Sequence, residues 1–110
     1  VTVTASSGGS TKTEEQVDTR AKTIPPYHVI LLDDDDHTYE YVIEMLRAVF
    51  GMSQEKAYLH ACEVDSSKRT ILLTTSREHA ELKAEQVSSY GPDARIPRCA
   101  GGMTAIIEPA

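Results

Sequence analysis

The sequence predicts a small mixed domain of three strands and three helices, in the order strand, helix, helix, strand, helix, strand. Three observations carry this. Two apolar, β-rich runs, at 27–32 and 70–75, are each followed by a polar break. The segments behind them repeat apolar residues at three-to-four spacing or open on a capping serine. Gly and Pro fall between these segments, where the chain must turn.

Tyr27 to Leu32 is nearly all apolar, as a central strand is. From Tyr39 to Phe50 an amphipathic helix carries Val42, Met45, Leu46, Val49 and Phe50 on one face, and Gly51 ends it. Ser53 caps a second helix, with Glu55 in its first turn and Ala57, Ala61 and Val64 turned inward. Thr70 to Thr75 is the second strand. Ser76 caps a third helix that runs to about Tyr90 and stops at Gly91-Pro92. Residues 91–102, with Gly, Pro and Arg, read as a surface loop, and Met103 to Ile107 as a short closing strand.

The chain has 110 residues, room for one domain. With no Trp and one Phe, its core must be mostly aliphatic. The chain divides near Pro25-Pro26. Residues 1–26 are rich in Thr, Ser and Gly and bury too little to offset the entropy of ordering, so they are expected to form a flexible tail. The tail's charges cancel, Lys12, Arg20 and Lys22 against Glu14, Glu15 and Asp18, so the net charge of -6 resides in the domain, 27–110. That excess argues against nucleic acid or an anionic membrane as partner. No apolar stretch approaches a membrane span, and the N-terminus lacks the basic start and apolar run of a signal peptide. Cys62 and Cys99 form no metal or redox motif. They read as reduced thiols of a cytoplasmic protein, with a disulfide between them left open.

The chemistry concentrates where the first strand ends. Val29-Ile30-Leu31-Leu32 runs into Asp33-Asp34-Asp35-Asp36. Four adjacent acids repel one another, so they favour either a solvated turn or a site that receives a cation. Carboxylates beside an apolar strand end suit a ligand with one positive and one apolar group, such as a peptide's N-terminus. Calcium is the main competitor. An EF-hand starting at Asp33 would use Asp35, His37, Tyr39 and Glu44, but Thr38 stands where Gly is needed and the helix starts too early. A weak divalent-ion site among the aspartates stays as an alternative. His60 and Cys62, two apart on a helix, diverge and suit zinc poorly. No Ser or Cys lies in a nucleophile motif, so hydrolytic catalysis has little support, and no cofactor is expected.

The stretch YHVILLDDDDHTYEYVIEML, Tyr27 to Leu46, resembles the opening of the ClpS adaptor family, which reads close to Y-x-V-I-L-x-N-D-D-Y-T-P-M-E-F-V. SREHAELKAEQVSSY at 76–90 is similar to the family's T-x-E-V-A-E-T-K-A-x-x-V, in the right order and at the right distance. The resemblance covers 27–110, with a longer loop near 91–102. It implies an α+β fold in which a three-stranded antiparallel sheet packs with three helices. It implies a non-catalytic adaptor that binds substrates beginning with Leu, Phe, Tyr or Trp. Such an adaptor delivers them to a AAA+ Clp unfoldase (ClpA/ClpC type) coupled to the ClpP peptidase, with a tail used in delivery. Carried over, the α-amino-binding residues are Asp33, Asp34, Asp35 and Asp65. The side-chain pocket is Leu31, Leu32, Tyr39, Val42, Ala61, Val64 and Met103, and the unfoldase contacts are Glu78 and Lys83.

Several positions depart from the family pattern. Asp33 replaces Asn, Asp65 replaces His, Tyr39 replaces a gating Met, Ala61 replaces a Met on the pocket floor, and Leu73 replaces a strand Gly. The alternative reading is a regulatory interaction module on the same fold that does not read N-terminal residues. For each carried-over residue an ordinary role stands beside the functional one. Leu31, Val42 and Val64 suit a core, Asp65 a helix exit, Glu78 a first-turn acid and Lys83 an exposed helix face.

Overall fold

The apolar run Tyr27–Leu32 forms strand β1, and a run of that character belongs at the centre of a sheet. In the computed structural model, which describes residues 24–97 and 99–110, it lies there. Strand β2 (Arg69–Thr75) pairs with one edge and β3 (Ala105–Pro109) with the other, both antiparallel, in the order β2-β1-β3. Val29, Ile30 and Leu31 are fully buried. Val29 pairs with Leu73 but Ile30 with Ile71, so Leu72 is an extra residue, a bulge that kinks β2. Most of the expected tail, residues 1–23, lies outside the described residues.

Among the described residues there are three helices: α1 (Tyr39–Phe50), α2 (Gln54–Ser67) and α3 (Arg77–Ser88). Each opens on a hydroxyl cap. Thr38 accepts from the Tyr41 N–H, Ser53 from Lys56 and Ser76 from His79. Gly51 closes α1 in the left-handed region at φ 68°, its N–H donating to the Arg47 carbonyl. Lys68 adopts the same conformation, φ 72°, to end α2 and send the chain straight into β2. The expected stripes do turn inward. Val42, Met45 and Leu46 of α1 meet Ala57, Ala61 and Val64 of α2 and Val29 and Leu31 of β1 in one aliphatic core.

The segment 91–102 is more than a surface loop. The Asp93 carboxylate is fully buried, and Tyr41, itself only 2% exposed, donates from its hydroxyl to the Gly91 carbonyl at 2.6 Å. Burial raises the Tyr41 phenol to about 12. At the far end of this segment, a Cβ on Gly102 would lie 2.5 Å from the Ser88 carbonyl oxygen, so only glycine lets the chain pass the end of α3. The closing strand begins at Ala105 rather than Met103. Met103 instead turns into the core, 2% exposed.

Candidate functional site

The exit of β1 is clamped on both sides. The Leu32 N–H donates to the Thr104 carbonyl and the Asp33 N–H to the Lys68 carbonyl, both at 3.0 Å. Beyond this clamp the acidic run turns. Asp34 Oδ1 accepts from the Asp36 N–H at 3.0 Å, a side-chain turn that reverses the chain toward α1. His37 Nδ1 donates to the same carboxylate at 2.8 Å. The His37 side chain is almost wholly buried, 4% exposed, and its Nε2 lies 2.8 Å from the Gly101 carbonyl oxygen and 3.3 Å from Cys99 Sγ. The turn is thus tied to the 91–102 segment across the fold.

A second tie fixes the start of α1. Asp93 Oδ2 accepts from both the N–H and the hydroxyl of Thr38, each at 2.8 Å. Its Oδ1 accepts from the Arg95 N–H at 3.0 Å and from the Arg95 guanidinium at 3.2 Å. Burial pushes the Asp93 carboxyl upward. The donors on Thr38 and Arg95 outweigh that and hold it at about 2.

Between these ties lies a cavity of about 50 Å³. Its polar lining residues include Asp33, Asp34, His37 and Asp65, and its apolar ones are Val42, Ala61, Val64 and Met103. Thr38 and Tyr39 complete the wall at the start of α1. The Tyr39 hydroxyl donates to Asp65 Oδ2 at 2.7 Å, joining the first turn of α1 to the end of α2. That hydrogen bond, with partial desolvation, raises the Tyr39 phenol to about 12. Lys68 Nζ stands 3.5 Å from Asp33 Oδ2.

The fold therefore brings Asp33, Asp34 and Asp65 together with Tyr39, Val42, Ala61, Val64 and Met103. Three expected residues are placed elsewhere. Asp35 is exposed and off the cavity wall, because the Asp34 turn carries it outward. Leu31 is sealed in the core, and Leu32, on the opposite face by the two-residue period of a strand, is half-buried; neither lines the cavity. Two lining residues escaped the sequence reading, His37 and Thr38. Their signal was present as a His three residues after an Asp and a Thr at a helix start. Glu78 is exposed in the first turn of α3. Lys83 is half-buried rather than exposed; its Nζ donates to the Val49 carbonyl at 2.8 Å and lies 5.6 Å from the centre of the Phe50 ring, closing the end of α1.

Among the described residues no three His, Cys, Asp or Glu side chains converge as a metal site, and both cysteines are free. No described helix is long and apolar enough to cross a membrane. A wider, open groove of about 720 Å³ runs over the outer side of α1 and the α1–α2 corner, away from the acidic turn.

The family model for "ATP-dependent Clp protease adaptor protein ClpS" matches residues 22–97. The chain belongs to the ClpS family. Its relatives include the ATP-dependent Clp protease adapter protein ClpS of Hydrogenovibrio crunogenus, 35% identical over 71% of this chain and 77% of that one. The ClpS of Neisseria gonorrhoeae is 35% identical over 73% of this chain and 82% of its own length. Among solved structures, Agrobacterium tumefaciens ClpS2 bound to L-phenylalaninamide superposes with a TM-score of 0.68 at 28% identity, covering 79% of this chain and 99% of that one. The α+β fold expected from the ClpS motifs, three antiparallel strands with three helices, is the fold found. Family membership makes the chain an adaptor of the Clp protease system, with a Clp unfoldase and its substrates as partners.

Proposed function

We propose that this ClpS protein binds the N-terminal residue of a substrate and delivers the substrate to a AAA+ Clp unfoldase in the cytoplasm. The observation that carries the reading is the mixed lining of the cavity, in which three carboxylates and four aliphatic side chains share one wall. An α-ammonium donates charge-assisted hydrogen bonds to Asp33, Asp34 and Asp65, and the first side chain points toward Val42, Ala61, Val64 and Met103. L-Phenylalaninamide, which the Agrobacterium ClpS2 structure holds, has this division, a free amine beside an apolar ring. Asp35 supports the site only through the charge of the turn. Glu78 offers the exposed charge for the unfoldase contact, and Lys83 presents its face while holding the end of α1. Residues 1–26 serve in delivery as a tail attached to the domain, 27–110.

A peptide beginning with Phe or Leu should bind in calorimetry, and its N-acetylated twin should not. Equal binding of the two would overturn the reading. One observation favours the second reading, a regulatory module that ignores N-termini. The cavity is far below the ~300 Å³ at the low end of small-molecule pockets, and Tyr39 reaches across it. The same pair of peptides separates the two, since the module binds neither.

A further inference from the structure

The small size of the cavity has a local cause. Tyr39 and Asp65 both wall it, they come from different helices, and the 2.7 Å hydrogen bond between them spans its mouth. The floor and sides are buried, with Val42, Ala61 and Val64 each 5% exposed or less. Tyr39 by contrast is 39% exposed, and its ring lies 6.2 Å from that of Tyr58, which is also exposed. The Tyr39 side chain can therefore leave the mouth without opening the core.

The carboxylates also differ in what they face. Asp33 faces the Lys68 ammonium and Asp34 the His37 ring, whereas the donor on Asp65 Oδ2 is a neutral phenol. A hydrogen bond from an ammonium to a carboxylate is stronger than one from a neutral hydroxyl. An incoming α-ammonium is thus the better partner for Asp65 and displaces the phenol.

We propose that the Tyr39–Asp65 hydrogen bond is a latch on the cavity, opened by the substrate's own ammonium. The inference rests on the N-terminal-residue reading above. It deepens that reading by coupling the two halves of the ligand. The amine frees the phenol, the phenol swings out, and only then does the cavity admit a bulky first side chain. An apolar group without an adjacent amine meets a closed mouth.

The test is Tyr39→Phe, which keeps the ring and removes only the latching hydroxyl. Association and dissociation of a Phe-initiated peptide and its acetylated twin are measured by stopped-flow fluorescence with both proteins. Thermal melts check that the exposed substitution leaves the fold intact. The latch predicts that the variant binds the free-amine peptide about three- to tenfold tighter, through faster association, since one hydrogen bond no longer has to be exchanged. The acetylated peptide should stay unbound by the wild type, whose mouth is latched. Unchanged or weaker binding by the variant, with the wild type still preferring the free amine, would overturn the latch and leave the adaptor reading standing. Binding of neither peptide to either protein would overturn both. Tight binding of the acetylated peptide by the wild type would show that the amine is not what opens the mouth, and the latch would fall with the reading it rests on.

Discussion

Asp93→Asn removes a charge from the most buried carboxylate of the fold while keeping its shape. In the wild type all four donors converge on this side chain: two from Thr38 and two from Arg95. An amide turns one acceptor oxygen into an NH₂ group, which then faces donors at either orientation. The drop from the ordinary 3.8 to about 2 converts, at about 1.4 kcal/mol per pH unit, to about 2 kcal/mol of stability. The carboxyl is depressed in the folded state, so this contribution is fully present above pH 3.8 and is lost as pH falls through about 2. Urea unfolding of both proteins at a series of pH values measures it. The variant should be about 2 kcal/mol less stable at pH 7, a fall of roughly 10 °C in Tm for a domain of this size. The gap should narrow below pH 4 and nearly close by pH 2. A variant as stable as the wild type at pH 7 would refute the argument, as would a gap that stays constant down to pH 2. Because Asp93 holds the cap residue of α1, and Thr38 also lines the cavity, affinity for a Phe-initiated peptide should fall as well.

Ala61→Met fills the floor of the cavity, where Ala61 is 1% exposed. It should shift preference from aromatic to smaller first residues by about 1–3 kcal/mol, read in a calorimetric series of peptides. Ile or Val binding the wild type as well as Phe would break the pocket assignment. Charge reversal at Glu78 should weaken salt-dependent binding to a Clp unfoldase in surface plasmon resonance and leave peptide affinity unchanged. Reversal at Lys83 should do the same and also cost about 1 kcal/mol of stability, because it removes the donor to the Val49 carbonyl.

What the sequence by itself determined is local. The apolar run of β1, the inward stripes of α1 and α2, the caps Ser53 and Ser76 and the glycine stop at Gly51 depend on residues within about four positions of one another. The ClpS motifs add the family, and with it the fold. What only the tertiary structure decided is which side chains meet. Strand ends follow their partners, so β3 begins where Ala105 meets Leu31, and Met103 is released to wall the cavity. Among four identical neighbouring aspartates, the clamp on Leu32 and Asp33 and the turn at Asp34 keep Asp33 and Asp34 at the cavity and carry Asp35 away. Asp93 is, in sequence, an ordinary loop residue beside a proline, yet it holds the cap residue of a helix, Thr38, 55 residues earlier. Lys83, spaced like any exposed helix lysine, closes a helix 34 residues away. Hydrophobic period and capping are written in neighbouring residues. The partner of a buried carboxylate, or of a lysine at a helix end, is chosen by packing across the whole domain, where sequence distance carries no weight.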